Sequence, residues 1–385
     1  MELIVDNSDV GVMSTAITYR TIQDAINVAN PGDTVSVKAG KYNESVEFPK
    51  SGTADSPITL QAQTTGTVTL DGSGRREPVI SIKGKSNIRV VGINTVGGKN
   101  GVVIDEDGKG NKSSNILVDR CHILLSTSSG IRASFSENIT ITDNVVEKTN
   151  RGGVHEMISI IGTKVFLVSG NEVFNGSWVE EGKPIEGKEG IDVKNGSSDG
   201  VVENNYVHDL TRLGIYVDAW DALTQNITVR GNTVERCKQG IALASEQGGL
   251  LKGVLITNNT TSNNLKNGII VAGWVKDGPR EDIRILHNTV VRNGVNGISI
   301  TTKNIKGLVI QNNLTKANFA GGVAGADFIP AIVKGNVDVT NMTTQEDVLA
   351  PVLPEVLEDK NGTKRGMTVV GADEGFVDIL VLRGL

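Results

Sequence analysis

The sequence predicts an all-β chain wound as a right-handed parallel β-helix, a solenoid carrying one short capping helix near its N-terminus. Three observations lead there. The chain of 385 residues holds 46 Gly and 9 Pro with only 4% aromatic residues, a composition that favours short strands and turns over helices. A Gly-Ile opening recurs as GIDVKNG at 190, GIYVDAW at 214, GIALASE at 240, GIIVAGW at 268 and GISITTK at 297, in steps of 24, 26, 28 and 29 residues. A period of this size signals stacked repeats. Within each repeat, Ile and Val fall at every second position between Asn, Gly and Asp turns, and no stretch is amphipathic at helical period over a useful length.

The elements follow in chain order. In TIQDAINVAN, Ile22, Ala25, Ile26 and Ala29 share one helical face, and Thr21 and Asp24 occupy capping-box positions. A solenoid exposes its first rung unless something covers it, so this helix is expected to be a cap. The segments PGDTVSVKAGKYNESVEF and SPITLQAQTTGTVTLDGSG read as the first rungs. One body is expected over 1–385: cap and first rungs in 1–50, rungs in 51–339, and a C-terminal cap in 340–385, where APVLPEVLEDKNGTKRG breaks the repeat and is expected to cover the last rung. A second recurring segment, of the type ENITITDNVV, places Asn144, Asn171, Asn205, Asn232, Asn259, Asn288 and Asn313 after its strand. Stacked in register, these side chains are expected to bond main chain and the next amide. Cys121 and Cys237 lie about four rungs apart, roughly 19 Å at one strand spacing per rung, too far for a disulfide.

Several partners are excluded. The net charge is −6 and no Lys/Arg run stands out, so the footprint of a nucleic-acid binder is missing. No apolar run approaches the ~20 residues a membrane span requires. The opening MELIVDNSDV lacks a basic n-region and an h-region, so any export signal has been removed or never belonged to this chain.

In the Gly-Ile strands, the first and third residues after Gly are apolar and face inward, so the second and fourth face out. Stacking turns these into ladders: Asp192, Tyr216, Ala242, Ile270, Ser299 at the second position and Lys194, Asp218, Ala244, Ala272, Thr301 at the fourth. If the strand continues, Gly196, Trp220, Glu246, Trp274 and Lys303 form a sixth-position row in which Glu246 stands between two exposed Trp residues. Aromatic faces beside a carboxylate suit a sugar ring, and they displace water that would otherwise hold the carboxyl's pKa down. That points to Glu246 as the protonated partner. Asp218 and Glu246 differ by one rung and two strand positions, about 8 Å between Cα atoms, a separation from which side chains can reach glycosidase geometry.

Around this pair lie further candidates. Lys194, flanked by Asp192 and Asp221, could orient a substrate hydroxyl or remove a proton α to a uronate carboxyl. His155 and Arg212 are candidate substrate contacts, Arg212 clamping a carboxylate or pairing with Asp209. The spacing from Gly153 to Gly190 is 37 residues, and the surplus around FNGSWVEEGKPIEGKE, with Trp178, reads as a lid or subsite wall.

YRTIQDAINVANPGDTVSVKAGKYNE resembles the entry segment of the pectate-lyase-like right-handed β-helix proteins, a superfamily of polysaccharide lyases, glycoside hydrolases and epimerases, and GADEG near the end resembles their closing segment. The resemblance implies the fold over nearly the whole chain and leaves the reaction open. GIYVDAW followed by GIALASE is similar to the consecutive rungs on which β-helical β-xylosidases carry a catalytic Asp and Glu, with the Glu at a different offset here. In pectate lyases of this fold an acidic cluster holds Ca²⁺; the residues here that the likeness would assign are Glu189, Asp192, Asp218 and Asp221. The tight Asp-Asp pair of those lyases and the NKS motif of alginate-lyase relatives are absent.

The expected function is an extracellular or periplasmic, monomeric enzyme that hydrolyses glycosidic bonds of a polysaccharide or oligosaccharide through Asp218 and Glu246, with no cofactor required. The alternatives are a Ca²⁺-dependent polysaccharide lyase with Lys194 as base, and a non-catalytic glycan-binding solenoid that uses the Trp row.

Overall fold

The computed structural model describes residues 1–8, 18–152, 155–180, 183–186, 189–338, 356, 358–362, 364, 365 and 371, the side chains of 177–180, 183–186 and 328 excepted. The chain divides into two compact units, Met1–Lys188 and Glu189–Leu385.

In the first unit, Ile58–Ala62, Ser86–Val91, Ser114–Asp119 and Glu137–Thr142 pair in parallel, one rung on the next. Their register aligns Ile58, Ile88, Ile116 and Ile139 in a single column, each at most 1% exposed. Burial of such a side chain contributes about 1.5–3 kcal/mol, so the alternating pattern is what holds the rungs in register. The second unit repeats the scheme. Its strands Ile191–Lys194, Tyr206–Asp218, Thr233–Ala244, Ile269–Val271 and Asn296–Ile300 align Ile191, Ile215, Ile241, Ile269 and Ile298, all fully buried. Each unit is thus a parallel β-solenoid, as the repeat predicts.

The helix spans Ile22–Val28 with Thr21 as its N-cap, whose hydroxyl accepts from the Asp24 N–H at 3.1 Å. Two more of its free amides, those of Ile22 and Gln23, donate to the Glu44 carboxylate at 2.9 and 3.0 Å, which removes the cost of unpaired donors at a helix start. Ile22, Ala25, Ile26 and Ala29 are buried, as their spacing requires.

The Asn ladder is present. In the second unit, Asn205 Nδ2 donates to Asn232 Oδ1, Asn232 to Asn259, Asn259 to Asn288 and Asn288 to Asn313, at 2.9 to 3.0 Å. In the first, Asn144 donates to Asn171 at 2.9 Å. A second ladder of Asn264, Asn293 and Asn318, at 2.9 Å per step, was not anticipated. Both cysteines are free and buried, and each sits where a ladder begins: the N–H of Cys121 donates to Asn144 Oδ1 and that of Cys237 to Asn264 Oδ1. Burial pushes both thiols up to about 12, so neither is a nucleophile at neutral pH.

The recurrent glycines stand at positions where no side chain fits. A Cβ on Gly214 would lie 2.8 Å from the Gly240 carbonyl oxygen and against a Val234 methyl, and one on Gly190 would lie 2.6 Å from the Gly214 carbonyl oxygen. Gly214→Ala is therefore expected to destabilise the protein by at least the ~1–3 kcal/mol of ordinary overpacking, because the obstacle is backbone. Urea unfolding followed by circular dichroism checks this, and an unchanged midpoint would contradict it.

The described residues of the C-terminal segment run along the flank of the second unit, where Asn258 Nδ2 donates to the Glu358 carbonyl at 2.7 Å and Arg365 donates to Asn258 Oδ1 at 2.6 Å. The Gly371 N–H donates to the Asn312 carbonyl at 3.0 Å. The rest of the expected cap, including most of GADEG, lies outside the described residues.

Candidate active site

The second-position ladder forms as the alternation predicts, with Asp192 opposite Tyr216, Tyr216 opposite Ala242, Ala242 opposite Ile270 and Ile270 opposite Ser299. At the fourth position Lys194 faces Asp218 and Asp218 faces Ala244. These are outward positions, yet Tyr216, Ala242, Ala244, Ile270 and Ala272 are buried as an apolar patch together with Leu213, and Trp274 packs over it. The Trp274 ring stands 6.0 Å from that of Tyr216, tilted by 59°. Alanines at the intervening rungs make this reach possible.

The sixth-position row does not form. The strands end at Asp218, Ala244 and Val271, and the chain then turns, with Trp220 in the left-handed region at φ 51°. Trp220 is exposed while Trp274 folds back onto the patch, so the two indoles do not flank Glu246 in one exposed row. Period-two reasoning fails where the strand stops.

The turns nevertheless bring Asp218 and Glu246 together. Asp218 Oδ1 accepts from the Trp220 N–H at 2.9 Å and from the Glu246 N–H at 3.3 Å, so the carboxylate itself bridges the two rungs. Asp218 is 1% exposed, and burial, reinforced by the Glu246 charge and opposed by the two amides and Lys194, raises its pKa to about 6. Burial thus singles out Asp218, rather than the Trp neighbourhood of Glu246, as the place for a protonated carboxyl. Glu246 is half-buried. The Tyr216 phenol is pushed well up by burial and by the carboxylates of Asp218, Glu246 and Asp192 around it. Its hydroxyl makes no hydrogen bond of ordinary geometry, and interaction with the Glu246 side chain is one of the causes that raise it.

The other candidates fall out differently. Lys194 pairs with Asp192 at 2.9 Å, both on the same strand, with the lysine side chain 19% exposed. Its ammonium is committed to that carboxylate, which disfavours the base role. Arg212 pairs with Glu189 at 2.9 Å and not with Asp209, which Arg236 and His208 take instead. The register shift between Leu210 and Leu213 turns Arg212 away from the Asp209 side. Asp221 is exposed in the turn after Trp220. The four acids proposed for Ca²⁺ are spent separately: Glu189 on Arg212, Asp192 on Lys194, Asp218 on main-chain amides, with Asp221 apart. Among the described residues no three His, Cys, Asp or Glu side chains are gathered to hold a metal ion. His155 and Trp178 belong to the first unit. His155 is half-buried and its backbone N–H donates to Asn150 Oδ1 at 3.2 Å; Trp178 lies in a hairpin of Ser177–Glu180 with Lys183–Glu186, its side chain outside the described residues.

Arg280 escaped the sequence reading. It is 1% exposed, donates to Asp277 Oδ1 at 2.8 Å, to the Gly278 carbonyl at 2.6 Å and to the Ala272 carbonyl, and so ties down the loop that carries Trp274. The available signal was its column, where the neighbouring rungs carry Leu251 and Ile305. An arginine at a core position demands a reason.

A family model described as right handed beta helix region matches residues 78–277, more than half of the chain, and one described as chondroitinase B matches residues 17–94. The uncharacterized protein YwoF of Bacillus subtilis is 28% identical over 357 residues, covering 80% of this chain and 73% of that protein. Among solved structures, XylC in complex with xylose aligns over 97% of this chain and 98% of its own with a TM-score of 0.60 at 11% identity. Pectate lyase Pel9A aligns over 97% and 90% with a TM-score of 0.57 at 14% identity. PfbA, a surface adhesin of Streptococcus pneumoniae, aligns over 82% and 85% with a TM-score of 0.59 at 14% identity. At these identities the structural likeness establishes the fold, and the family match agrees with it: the chain belongs to the right-handed β-helix family.

Proposed function

We propose that the protein is a carbohydrate-active enzyme of the glycoside-hydrolase type, in which Asp218 is the general acid and Glu246 the nucleophile or base. The observation that carries the reading is the buried Asp218 carboxyl, raised to about 6 and held one rung from Glu246 beside an aromatic-walled apolar patch. An acid that keeps its proton up to about pH 6 beside a second carboxyl is the arrangement glycosidic cleavage needs. Asp218 Oδ1 is occupied by main-chain amides, which leaves Oδ2 to deliver the proton. Fold neighbours solved as a pectate lyase and with bound xylose make a polysaccharide or oligosaccharide the natural substrate. No helix of the described residues is long and apolar enough to cross a membrane, and the working place that fits such a substrate is outside the cytoplasm.

The test is release of reducing ends from a panel of polysaccharides. Wild type is expected to release them from at least one, without unsaturated products. Unsaturated, ultraviolet-absorbing ends would identify a lyase and sink the reading; binding without turnover on every member would favour a glycan-binding solenoid.

Trp274 is the sugar-facing wall in this reading. Trp274→Ala is expected to raise KM about tenfold or more with a smaller change in kcat, since an aromatic face contributes about 1 kcal/mol beyond its buried area. Steady-state kinetics on the best substrate measures the split, and a fall confined to kcat would contradict it.

A further inference from the structure

Among the described residues, three cations of the site are held in ion pairs. Lys194 is bound to Asp192, Arg212 to Glu189 and the wholly buried Arg280 to Asp277, all within 2.9 Å. The acids outnumber them: Asp218 and Glu246 have no basic partner at salt-bridge distance among the described residues, and the Tyr216 phenol feels Asp218, Glu246 and Asp192 together. Lys276, whose N–H donates to the Glu246 carbonyl at 3.0 Å, and Lys303 are exposed on the turns beyond the strand ends, where water screens a side-chain charge. No described cluster could hold a cation to neutralise an acidic sugar. What the site does offer is the half-buried Trp274 ring, seated on the buried Tyr216, Ala242, Ala244 and Ala272, and an indole face suits the C–H face of a pyranose ring.

We infer that the glycan bound against Asp218 and Glu246 is uncharged, and that a polyuronate is rejected. This rests on the hydrolase reading for its location and adds the substrate class to it. A uronate carboxylate placed beside Glu246 would meet a like charge at a half-buried position, and among the described residues no guanidinium or ammonium stands at salt-bridge distance from Asp218 or Glu246 to receive it. Discrimination of this kind comes from repulsion as much as from fit. At an effective dielectric near 20 and a separation of about 5 Å, one such charge disfavours the uronate on the order of 10²-fold.

The experiment compares a polyuronate with its own carboxyl-reduced form, alongside xylan and a neutral glucan, using the full chain at low ionic strength. The expected result is turnover of one or more neutral polymers at about 10²-fold or more above any polyuronate. Faster hydrolysis of the polyuronate, with saturated products, overturns the inference while leaving the hydrolase reading in place. Polyuronate cleavage with unsaturated ends overturns both. If no polymer is turned over, affinity electrophoresis with the same polymers decides: retardation in a neutral gel and not in the matched uronate gel supports the inference, and any other pattern, including none, counts against it. As a second arm, Glu246→Gln should narrow the ratio of neutral to uronate retardation by about 10²-fold; an unchanged ratio would remove Glu246 as the discriminating charge and defeat the argument.

Discussion

Asp218→Asn is expected to lower kcat by about 10²–10⁴-fold, the usual contribution of a positioned acid, while leaving substrate binding within a fewfold of wild type. The amide keeps the shape of the carboxyl, and its oxygen can still accept the Trp220 and Glu246 N–H groups that Asp218 Oδ1 now takes. What it lacks is the transferable proton. The pH profile gives an independent reading. An acid with a pKa of about 6 is protonated below that value, so activity is expected to fall as pH rises through about 6. Stability moves in a direction that a purely structural aspartate would not show. The carboxyl's pKa is raised in the folded protein from 3.8 to about 6, so folding binds a proton more tightly there. The associated stability is fully present below about 3.8 and is lost as pH rises through about 6, an effect of about 3 kcal/mol. The neutral asparagine escapes that loss, so Asp218→Asn should be more stable than wild type above pH 6 and less active at every pH. Thermal melts at acid and alkaline pH, beside kinetics, check both halves. A variant that loses activity and stability together at alkaline pH would mark Asp218 as a brace for the two turns instead.

That prediction became possible because part of the site is written in the alternation of the strands. Ile191, Ile215, Ile241, Ile269 and Ile298 must all be buried, and that requirement alone aligns Asp192 with Tyr216 and Lys194 with Asp218 on the outside. Period two carries this information only while the backbone stays extended. After Asp218 the chain enters a turn with Trp220 at positive φ, and from there the side-chain direction depends on local dihedrals that no pattern reveals. Trp274 was therefore foreseen as a neighbour of Glu246 and is found lying over Tyr216. Ion-pair partners were legible only where strand geometry imposed them. Lys194 and Asp192 share a face of one strand; Arg212, beyond a register shift, had a choice of acids and took Glu189. Arg280 was hidden for another reason: its partners are two carbonyls and a loop aspartate, contacts that sequence spacing does not encode.

The largest loss of stability is expected at the centre of the Asn ladder, from Asn259→Ala. Asn259 does the work of both a donor and an acceptor. Its N–H donates to Asn288 Oδ1 at 3.0 Å, and its Nδ2 donates to the same oxygen at 3.0 Å and to the carbonyls of Val229 and Thr257 at 2.9 and 3.0 Å. Its Oδ1 accepts the N–H and the Nδ2 of Asn232 at 3.0 and 2.9 Å. Truncation to alanine removes every side-chain bond in that set and leaves donors on Asn232 and a carbonyl on Val229 without this partner, in surroundings where both asparagines are wholly buried. Each buried polar group so stranded costs about 1–3 kcal/mol, so a total of about 3–6 kcal/mol is expected. The contrast with Asn87 sharpens the test. Asn87 is half-buried, and its side chain accepts from Asn115 at 3.1 Å at the surface and donates to the Gly52 carbonyl at 3.3 Å, where water can reach the lost partners more readily than in the buried ladder. Asn87→Ala is expected to cost under ~1 kcal/mol beyond the strain term of its positive φ, 58°. Urea unfolding of the two variants measures the difference directly. Equal losses would mean that the buried ladder contributes no more than a solvated one, and that the rungs of the second unit are held together by their isoleucine columns alone.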